Sequence, residues 1–283
     1  MSNTILWKRN IRCTFYRKDT GKGIDVTNNY VSFSITRTVE STPDSATIKI
    51  MNLNANHRQE LAQKNMVLVL EVGYGDNPTY FRLYKGDILK ARTEFQAGNW
   101  ISNMECGDAA TQILKKVHKK SYSGATDLKA IIKDAIREMG GIKTDPAALE
   151  AVLKDEKVDN GLTVLEPPMQ TIKKAARKAG ANAFIQDDKL YVLKTNQVVN
   201  EGAALLNSKT GLLDVPTQTD KGIEFKCLIQ ANVVPGRAVT IESKTVNGTY
   251  IISRVEMSGS NREQDWYIKG TGIQPQGVKI ERV

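Results

Sequence analysis

One stretch of the chain, Gly124 to Lys194, has a mainly helical pattern, and long segments with β-strand periodicity lie on either side of it. Its apolar residues recur at the i, i+3, i+4, i+7 spacing that places them on one helical face. They are Leu128, Ile131, Ile132, Ala135, Ile136 and Met139. The chain is therefore predicted to fold as a small α/β insert between two β-rich parts.

Within the insert, the helix is predicted to be capped by Thr126 and to end at Gly140, which tolerates a positive φ. A second helix is predicted from about Pro168, a residue suited to a first helical turn, to Gly180. A short hairpin should follow over residues 183–193, with an acidic turn at Asp187-Asp188.

The flanking parts alternate between apolar and polar residues, as strands with one covered face do. Val31, Phe33, Ile35 and Arg37, for example, fall on one face of a predicted strand. The predicted strands are Ile5–Arg17, Val31–Val39, Ala46–Ile50, Met66–Tyr74, Tyr80–Ala91 and Trp100–Cys106 before the insert, and Gly222–Ile229, Ala238–Ser243, Thr249–Met257 and Asp265–Ile273 after it. Short strands separated by turn signals predict antiparallel barrels or sandwiches.

The two β-rich parts also echo each other. Met66 to Gly73, Thr79-Tyr80, a long strand and Trp100 occur in the same order as Ala238 to Ser243, Thr249-Tyr250, a long strand and Trp266. The similarity lies in pattern more than in identity, and it predicts two related barrels.

Composition excludes few partners. The formal charge is +9, but the basic residues are spread along the chain, with clusters only at 115–120 and 173–178. A solvated helical face is the expected role of both clusters.

Cys13, Cys106 and Cys227 are far apart in strand-like contexts, which predicts buried thiols. No run of about 18 apolar residues and no signal peptide pattern occur, so we expect a protein made in a cytoplasm and not inserted in a membrane.

Catalytic motifs are missing from the sequence. His57 and His118 lie in polar stretches that are predicted to be helical and solvated, without partners at metal-site spacing. Gly73 to Asp76 fits a hairpin turn better than a phosphate loop. Asp187-Asp188 and Glu40 with Asp44 are acidic neighbours that a glycosidase could use, but they are expected to face water. We therefore predict no catalytic residue, no cofactor and no metal site.

Several stretches of the chain resemble, in the same order, stretches of one known protein family. They are Ser41–Asn54, Val69–Asp76, Tyr84–Ile88, Gly211–Gly222 leading to Val239, and Gly248–Ile252 through Tyr267. Together they resemble phage baseplate hub proteins of the gp27-like, tail-protein-D-like group.

This resemblance implies an α+β, mainly β fold with two tail-tube-like antiparallel β-barrels flanking a small α/β insert. The first barrel would span residues 1–108, the insert 109–200 and the second barrel 201–283. It also implies a homotrimer in the virion tail baseplate, assembled in the host cytoplasm. The implied partners are tail tube or distal tail ring proteins, a central spike protein and, as a further candidate, the tape measure protein; DNA would be present only in transit.

The function implied is that of a non-enzymatic baseplate hub of a contractile phage tail. Its homotrimer would be a pseudo-six-fold symmetry adapter that joins the tail tube to the central spike and surrounds the DNA channel. A tail-associated peptidoglycan-degrading enzyme and a nucleic-acid-binding module are the alternatives. The residues expected at interfaces are Ala46, Ile48, Ile50, Tyr74, Asn77, Tyr80, Thr249, Tyr250 and Trp266.

Overall fold

The structure, a computed structural model, describes residues 7–39, 44–107, 117–140, 142–153, 156–186, 189–194, 198, 203–220 and 222–274. The strands before the insert are β1 (Arg9–Arg17), β2 (Gly23–Asp25), β3 (Tyr30–Thr38), β4 (Ser45–Met51), β5 (Met66–Tyr74), β6 (Phe81–Gln96) and β7 (Asn99–Gly107). Those of the insert are β8 (His118–Tyr122), β9 (Thr126–Asp127), β10 (Lys143–Thr144), β11 (Lys157–Val158), β12 (Leu162–Glu166), β13 (Ala181–Gln186) and β14 (Lys189–Lys194). Those after it are β15 (Ala204–Leu206), β16 (Thr217–Thr219), β17 (Gly222–Cys227), β18 (Ala238–Glu242), β19 (Asn247–Ser260) and β20 (Trp266–Ile273). The helices are α1 (Ala55–Leu61), α2 (Leu128–Met139), α3 (Pro146–Leu153) and α4 (Pro168–Lys178).

The strands of both flanking parts belong to one 13-stranded sheet. Its order is β16-β17-β20-β19-β3-β4-β7-β6-β5-β1-β2, with β18 on β19 and β15 on β18 outside this path. The pairings are antiparallel except for β15 with β18. The predicted mainly β fold is thus confirmed. Over the described ranges the strand pairs do not close into a ring, so the two barrels remain a prediction.

Each half of this sheet has the same strand order. Before the insert the order is β1-β5-β6-β7-β4-β3, and after it β15-β18-β19-β20-β17-β16. Numbered by sequence within its half, omitting β2, each series reads 1-4-5-6-3-2. The longest strand of each half, β6 with 16 residues and β19 with 14, occupies the same place. The echo seen in the sequence therefore has a counterpart in the topology.

The main core lies against this sheet and takes residues from both halves. The alternation in β3 works as predicted, since Val31, Phe33, Ile35 and even Arg37 are buried. In β1, Ile11, Cys13 and Phe15 are buried as the same pattern predicts. Trp7 was expected on that face but is 61% exposed, because β1 begins only at residue 9. Ile5 lies outside the described residues.

The insert has a second core, in which α4 packs on β13, α3 packs on β14 and α2 packs on α4. Both predicted long helices and the hairpin are present. Thr126 does not cap α2, since it lies in β9 and Asp127 occupies the N-cap position. Helical spacing of the apolar residues between Ala109 and Val117 also predicts a short helix. This segment and both predicted domain boundaries lie outside the described residues, except for the exposed Val117. Those boundaries stay predictions.

Two sequence interpretations in the insert were wrong. His118 was expected to be solvated in a helical stretch, but it lies in β8 and is 1% exposed. The residues between Asp155 and Pro167 were interpreted from the sequence as a polar link, but Leu162–Glu166 forms β12 and pairs with β8. Both errors arise because each of these five-residue strands buries one side chain, His118 in β8 and Val164 in β12, which is too few to give a periodic pattern.

The sequence Lys85-Gly86-Asp87 predicts a bend or bulge within β6. Two register shifts lie on either side of Gly86, one at Leu83 against β5 and one between Ile88 and Lys90 against β7. Gly86 itself marks a close approach, because an added Cβ would lie 2.4 Å from the Gly107 carbonyl oxygen and 2.3 Å from the Tyr84 hydroxyl.

Replacing Gly86 with alanine should therefore destabilise the protein by about 1–3 kcal/mol, the usual range for overpacking a core. Gly23→Ala is the matched control, since its Cβ would meet only ordinary contacts at 3.6 Å. Urea denaturation of the two variants measures the difference. Equal midpoints for the two variants would show that the strands at Gly86 can separate without cost.

The three cysteines are buried, as predicted. Burial raises the pKa of Cys106 and of Cys227 to about 12, and burial together with the nearby Cys106 also raises the pKa of Cys13. A thiol whose pKa is raised on folding stabilises the fold fully below its unfolded pKa, near 8.5, and this stabilisation is lost as the pH rises above it.

The free energy of unfolding should therefore fall above pH 8.5, by up to about 1.4 kcal/mol per pH unit for each thiol. Urea denaturation between pH 7.5 and 10.5 measures this slope, and Cys227→Ala should make it shallower. The native thiols should also resist Ellman's reagent at pH 8 and react on unfolding. Rapid labelling of the native protein would contradict the burial of these thiols.

Candidate assembly surfaces

The hairpin β6–β7 presents aromatic side chains at its tip. The strands are paired as far as Gln96 and Asn99, and the two-residue turn between them has positive φ at Ala97 (48°) and Gly98 (79°). Positive φ at both positions matches a type I′ turn, whose twist suits a hairpin. Phe95 and Trp100 pair directly across the strands, with ring centroids 5.2 Å apart, and are 61% and 40% exposed.

The tip is held by the segment between β4 and α1. Asn52, in the left-handed region with φ of 58°, donates its backbone N–H to the Trp100 carbonyl at 2.7 Å. Its side chain accepts from the Trp100 N–H at 3.0 Å and donates to Asn99 at 2.9 Å. The Arg58 guanidinium lies 4.1 Å from the Trp100 ring centroid. One face of Trp100 is thus fixed, and Phe95 remains exposed beside it.

The two halves of the sheet also meet at an aromatic seam. The Trp266 indole N–H donates to the Tyr74 hydroxyl at 2.6 Å, and that hydroxyl donates to the Ile229 carbonyl at 2.7 Å. The rings of Tyr74 and Phe33 each pack edge-on against Trp266, with centroids 6.0 and 5.9 Å away. Burial raises the pKa of Tyr74 to about 12, so the phenol stays protonated as a donor.

Arg9 covers the outer side of this seam. Its guanidinium carbon lies 5.6 Å from the Trp266 ring, and Nη1 donates to the carbonyls of Gln264 and Asp265, both at 3.1 Å. The Arg9 guanidinium is positively charged, but the two groups that accept its hydrogen bonds are uncharged backbone carbonyls. The seam therefore joins β1, β3 and β5 to β20 within one chain.

The residues predicted at interfaces fall into two groups. Five of them are buried, with exposures of 7% or less, and face the chain's own core; they are Ala46, Ile48, Ile50, Tyr250 and Trp266. Tyr74 is half-buried in the seam beside Trp266. The alternation correctly marked these side chains as covered, and what covers them is the same chain.

Of the remaining three, Asn77 is exposed and the other two are half-buried. Tyr80 stacks against Arg12, whose guanidinium carbon lies 4.1 Å from the ring. Thr249 forms a hydroxyl contact of 3.0 Å with Thr240 across β18 and β19. An interface role for any of the nine stays a prediction.

The sequence interpretation missed Phe95, because the strand was expected to end at Ala91. Trp100 was placed at the start of a strand without a role. Two aromatics flanking an alanine-glycine pair at equal distance were the signal available, since cross-strand aromatic pairs are common beside tight hairpin turns.

Of the acidic residues that the sequence singled out, Glu40, Asp187 and Asp188 lie outside the described residues. Asp44 was expected to face water but is buried, with an Oδ atom 3.6 Å from Arg37 Nε, and buried Asp87 lies 2.6 Å from Lys18 Nζ. A cavity of about 360 Å³ on the outer side of β17 and β20 contains further carboxylates. Two of these, Asp214 and Glu256, are exposed and ion-paired with neighbouring cations.

In the described ranges, groups of three or more His, Cys, Asp or Glu side chains that could hold a metal ion do not occur. The helices that the structure describes are too short or too polar to cross a membrane. Lys119 and Lys120 lie on β8, and Lys115 and Lys116 lie outside the described residues.

Comparisons with solved structures identify the fold. A 43 kDa tail protein of prophage MuSo2 from Shewanella oneidensis superposes with a TM-score of 0.64 at 9% identity, covering 93% of this chain and 98% of that one. A tail protein from Neisseria meningitidis MC58 gives 0.63 at 12% identity, with 94% and 97% covered. The E. coli c3393 protein, a type VI secretion component similar in structure to the phage T4 tail proteins gp27 and gp5, gives 0.61 at 10% identity, with 90% and 76% covered.

Comparison of the sequence with protein-family models identifies the family of the chain. A search of curated proteins finds no match. A family model described as baseplate hub gp41 matches residues 11–272 of the 283. Because the match covers nearly all of the chain, the chain belongs to the baseplate hub gp41 family, and its role is that of a structural component of a phage tail baseplate.

Proposed function

We propose that the chain is a homotrimeric, non-enzymatic hub that joins the tail tube to the central spike and surrounds the DNA channel. The observation that carries this proposal is the strand order 1-4-5-6-3-2, which occurs once in each half of the sheet. Three copies would supply six similar β units, so the ring could meet a six-fold tube on one face and a three-fold spike on the other.

The two units would be the tail-tube-like barrels expected from the sequence. Their pairing through β3 and β19 supports a fixed orientation of one unit to the other within a subunit. Among the described strands, β2 and β16 at the ends of the path each pair on one side only, so a neighbouring subunit could extend the sheet at their other edges.

The exposed tip formed by Phe95 and Trp100 is the surface best suited to contact a neighbouring tail protein. Large aromatics contribute most of the binding energy at many interfaces, and here Trp100 is already immobilised by Asn52 and Arg58. A contact made there loses little side-chain entropy on binding. A tail tube or distal tail ring protein would be its partner, and DNA would touch the hub only in transit.

A conduit for DNA should lack sticky basic patches, since tight phosphate binding would slow its passage. We therefore expect the surplus positive charge to lie away from the lumen. Two of the clustered lysines already face carboxylates, Lys120 with Asp134 and Lys174 with Glu166. This arrangement favours the hub over a nucleic-acid-binding module.

Light scattering of the purified protein mixed with the spike protein of the same phage should give a complex in which the hub contributes three times the 31.3 kDa mass of one chain. The spike should enter the complex with one copy per three hubs, or as one trimer per hub trimer. A stable dimer or tetramer of the hub in this mixture would overturn the proposed symmetry.

Changing both tip aromatics, Phe95→Ser with Trp100→Ser, should leave the folded chain intact but sharply reduce the yield of complete tails. The reason is that the exposed pair contributes to an intermolecular contact and little to the core. Electron microscopy of phage carrying the variant counts complete particles. Phe95→Tyr with Trp100→Phe is the control that keeps aromatic area. Normal tail yield from the double serine variant would exclude the tip as an assembly contact.

A further inference from the structure

The insert contains a groove that lies outside the aromatic seam and the hairpin tip described above. It is a cavity of about 510 Å³ between α2, α4 and β12. Its apolar lining includes Leu128 and Ile131 on α2, Val158 on β11 and Ala175 on α4. The two α2 side chains are each 1% exposed, so they form the floor of the groove. An apolar floor of this kind favours an apolar occupant.

One wall of the groove is the strand β12. All five of its residues, Leu162 to Glu166, line the cavity. Successive side chains of a strand point to opposite faces, so a cavity touched by five consecutive residues runs along the strand's edge. Among the described strands, β12 pairs only with β8. Its other edge therefore offers backbone donors and acceptors along about 17 Å, at ~3.3 Å per residue.

Leu165 supports an intermolecular role for this strand. It is 68% exposed, although it lies in a strand whose neighbour Val164 is 4% exposed. Its cross-strand partner is Lys119, which gives it no apolar cover. An exposed leucine beside an open strand edge and an apolar floor forms a contiguous site for an extended segment.

The rim of the groove is positively charged. The helix α4 carries four basic residues and no acidic one, and two of these, Lys174 and Lys178, line the cavity. Lys174 pairs with Glu166, while Lys178 donates to the Lys157 carbonyl, an uncharged acceptor, at 2.9 Å. The charges at the rim thus add to a net positive value.

We propose that this groove binds an extended, acidic peptide segment of a partner protein, which adds as a strand to the free edge of β12. Its apolar side chains would lie on the α2 and α4 floor, and its carboxylates would face Lys174 and Lys178. The free strand edge favours a peptide over a lipid or a small apolar molecule, since only a backbone satisfies alternating donors and acceptors. The rim charge favours an acidic segment over a second copy of this basic chain.

The test uses the full-length protein and a fluorescein-labelled hexapeptide in which valine alternates with glutamate, with binding followed by anisotropy. Lys174→Glu with Lys178→Glu should weaken binding at least tenfold, and Leu165→Glu should do the same. The matched controls are Lys133→Glu, an exposed lysine on α2, and Leu205→Glu, an exposed leucine on β15. Both controls should change binding less than twofold.

Two control peptides test the charge argument and the strand addition separately. A valine-lysine hexapeptide should bind at least tenfold more weakly, and so should a valine-glutamate peptide N-methylated along one edge. Equal binding of the methylated peptide would overturn strand addition, and equal binding of the lysine peptide would overturn the charge argument. No binding of the original peptide at millimolar concentration, or a self-association that Leu165→Glu abolishes, would overturn the proposal as well. Thermal unfolding of each variant confirms that it is folded, and none of these outcomes depends on the trimer.

Discussion

The structure depends on one strand pairing, that of β3 with β19. Seven residue pairs, from Arg254↔Thr38 to Ser260↔Ser32, join the half of the sheet before the insert to the half after it. Within this ladder Gly259 lies opposite Phe33, and a Cβ on it would come 2.5 Å from the Phe33 ring and 2.9 Å from Trp266. Because Gly259 has no side chain, the rings of Phe33 and Trp266 can both pack over the ladder. The Trp266 indole N–H also donates a hydrogen bond to the Tyr74 hydroxyl. Backbone pairing and aromatic packing thus fix the same junction.

A junction of this kind allows each half to carry a separate surface. The tip at Phe95 and Trp100 belongs to the first half and is anchored by Asn52, which lies just beyond β4. The insert leaves the sheet after β7 and returns before β15, with its own core. Changes in the insert therefore need not disturb the sheet, because the two cores share no buried residue among those described.

Much of this fold could be predicted from the sequence where one face of an element is covered. Val31, Phe33, Ile35 and Arg37 alternate in the sequence and are all buried, and the apolar face of α2 matches its buried residues closely. The prediction failed where a strand buries few side chains, as in β12 and in the end of β6, because such strands show no clear alternation that distinguishes them from loops. Interfaces were harder still. Alternation indicates that Ile48 or Trp266 is covered, but not whether its own chain or a neighbour covers it.

The two halves share a strand order but differ at one edge, and this difference bears on symmetry. In the first half the outermost strand β1 is antiparallel to β5 and is extended by β2. In the second, β15 is parallel to β18 and has three residues. Two units that agree in their central strands and differ in their edge strands can present similar central faces. Their contacts with neighbouring units at the edges would then differ. The proposed ring of three chains would therefore approach six-fold symmetry where the central strands are exposed. It would keep three-fold symmetry at the contacts between edge strands, as an adapter between unlike partners requires.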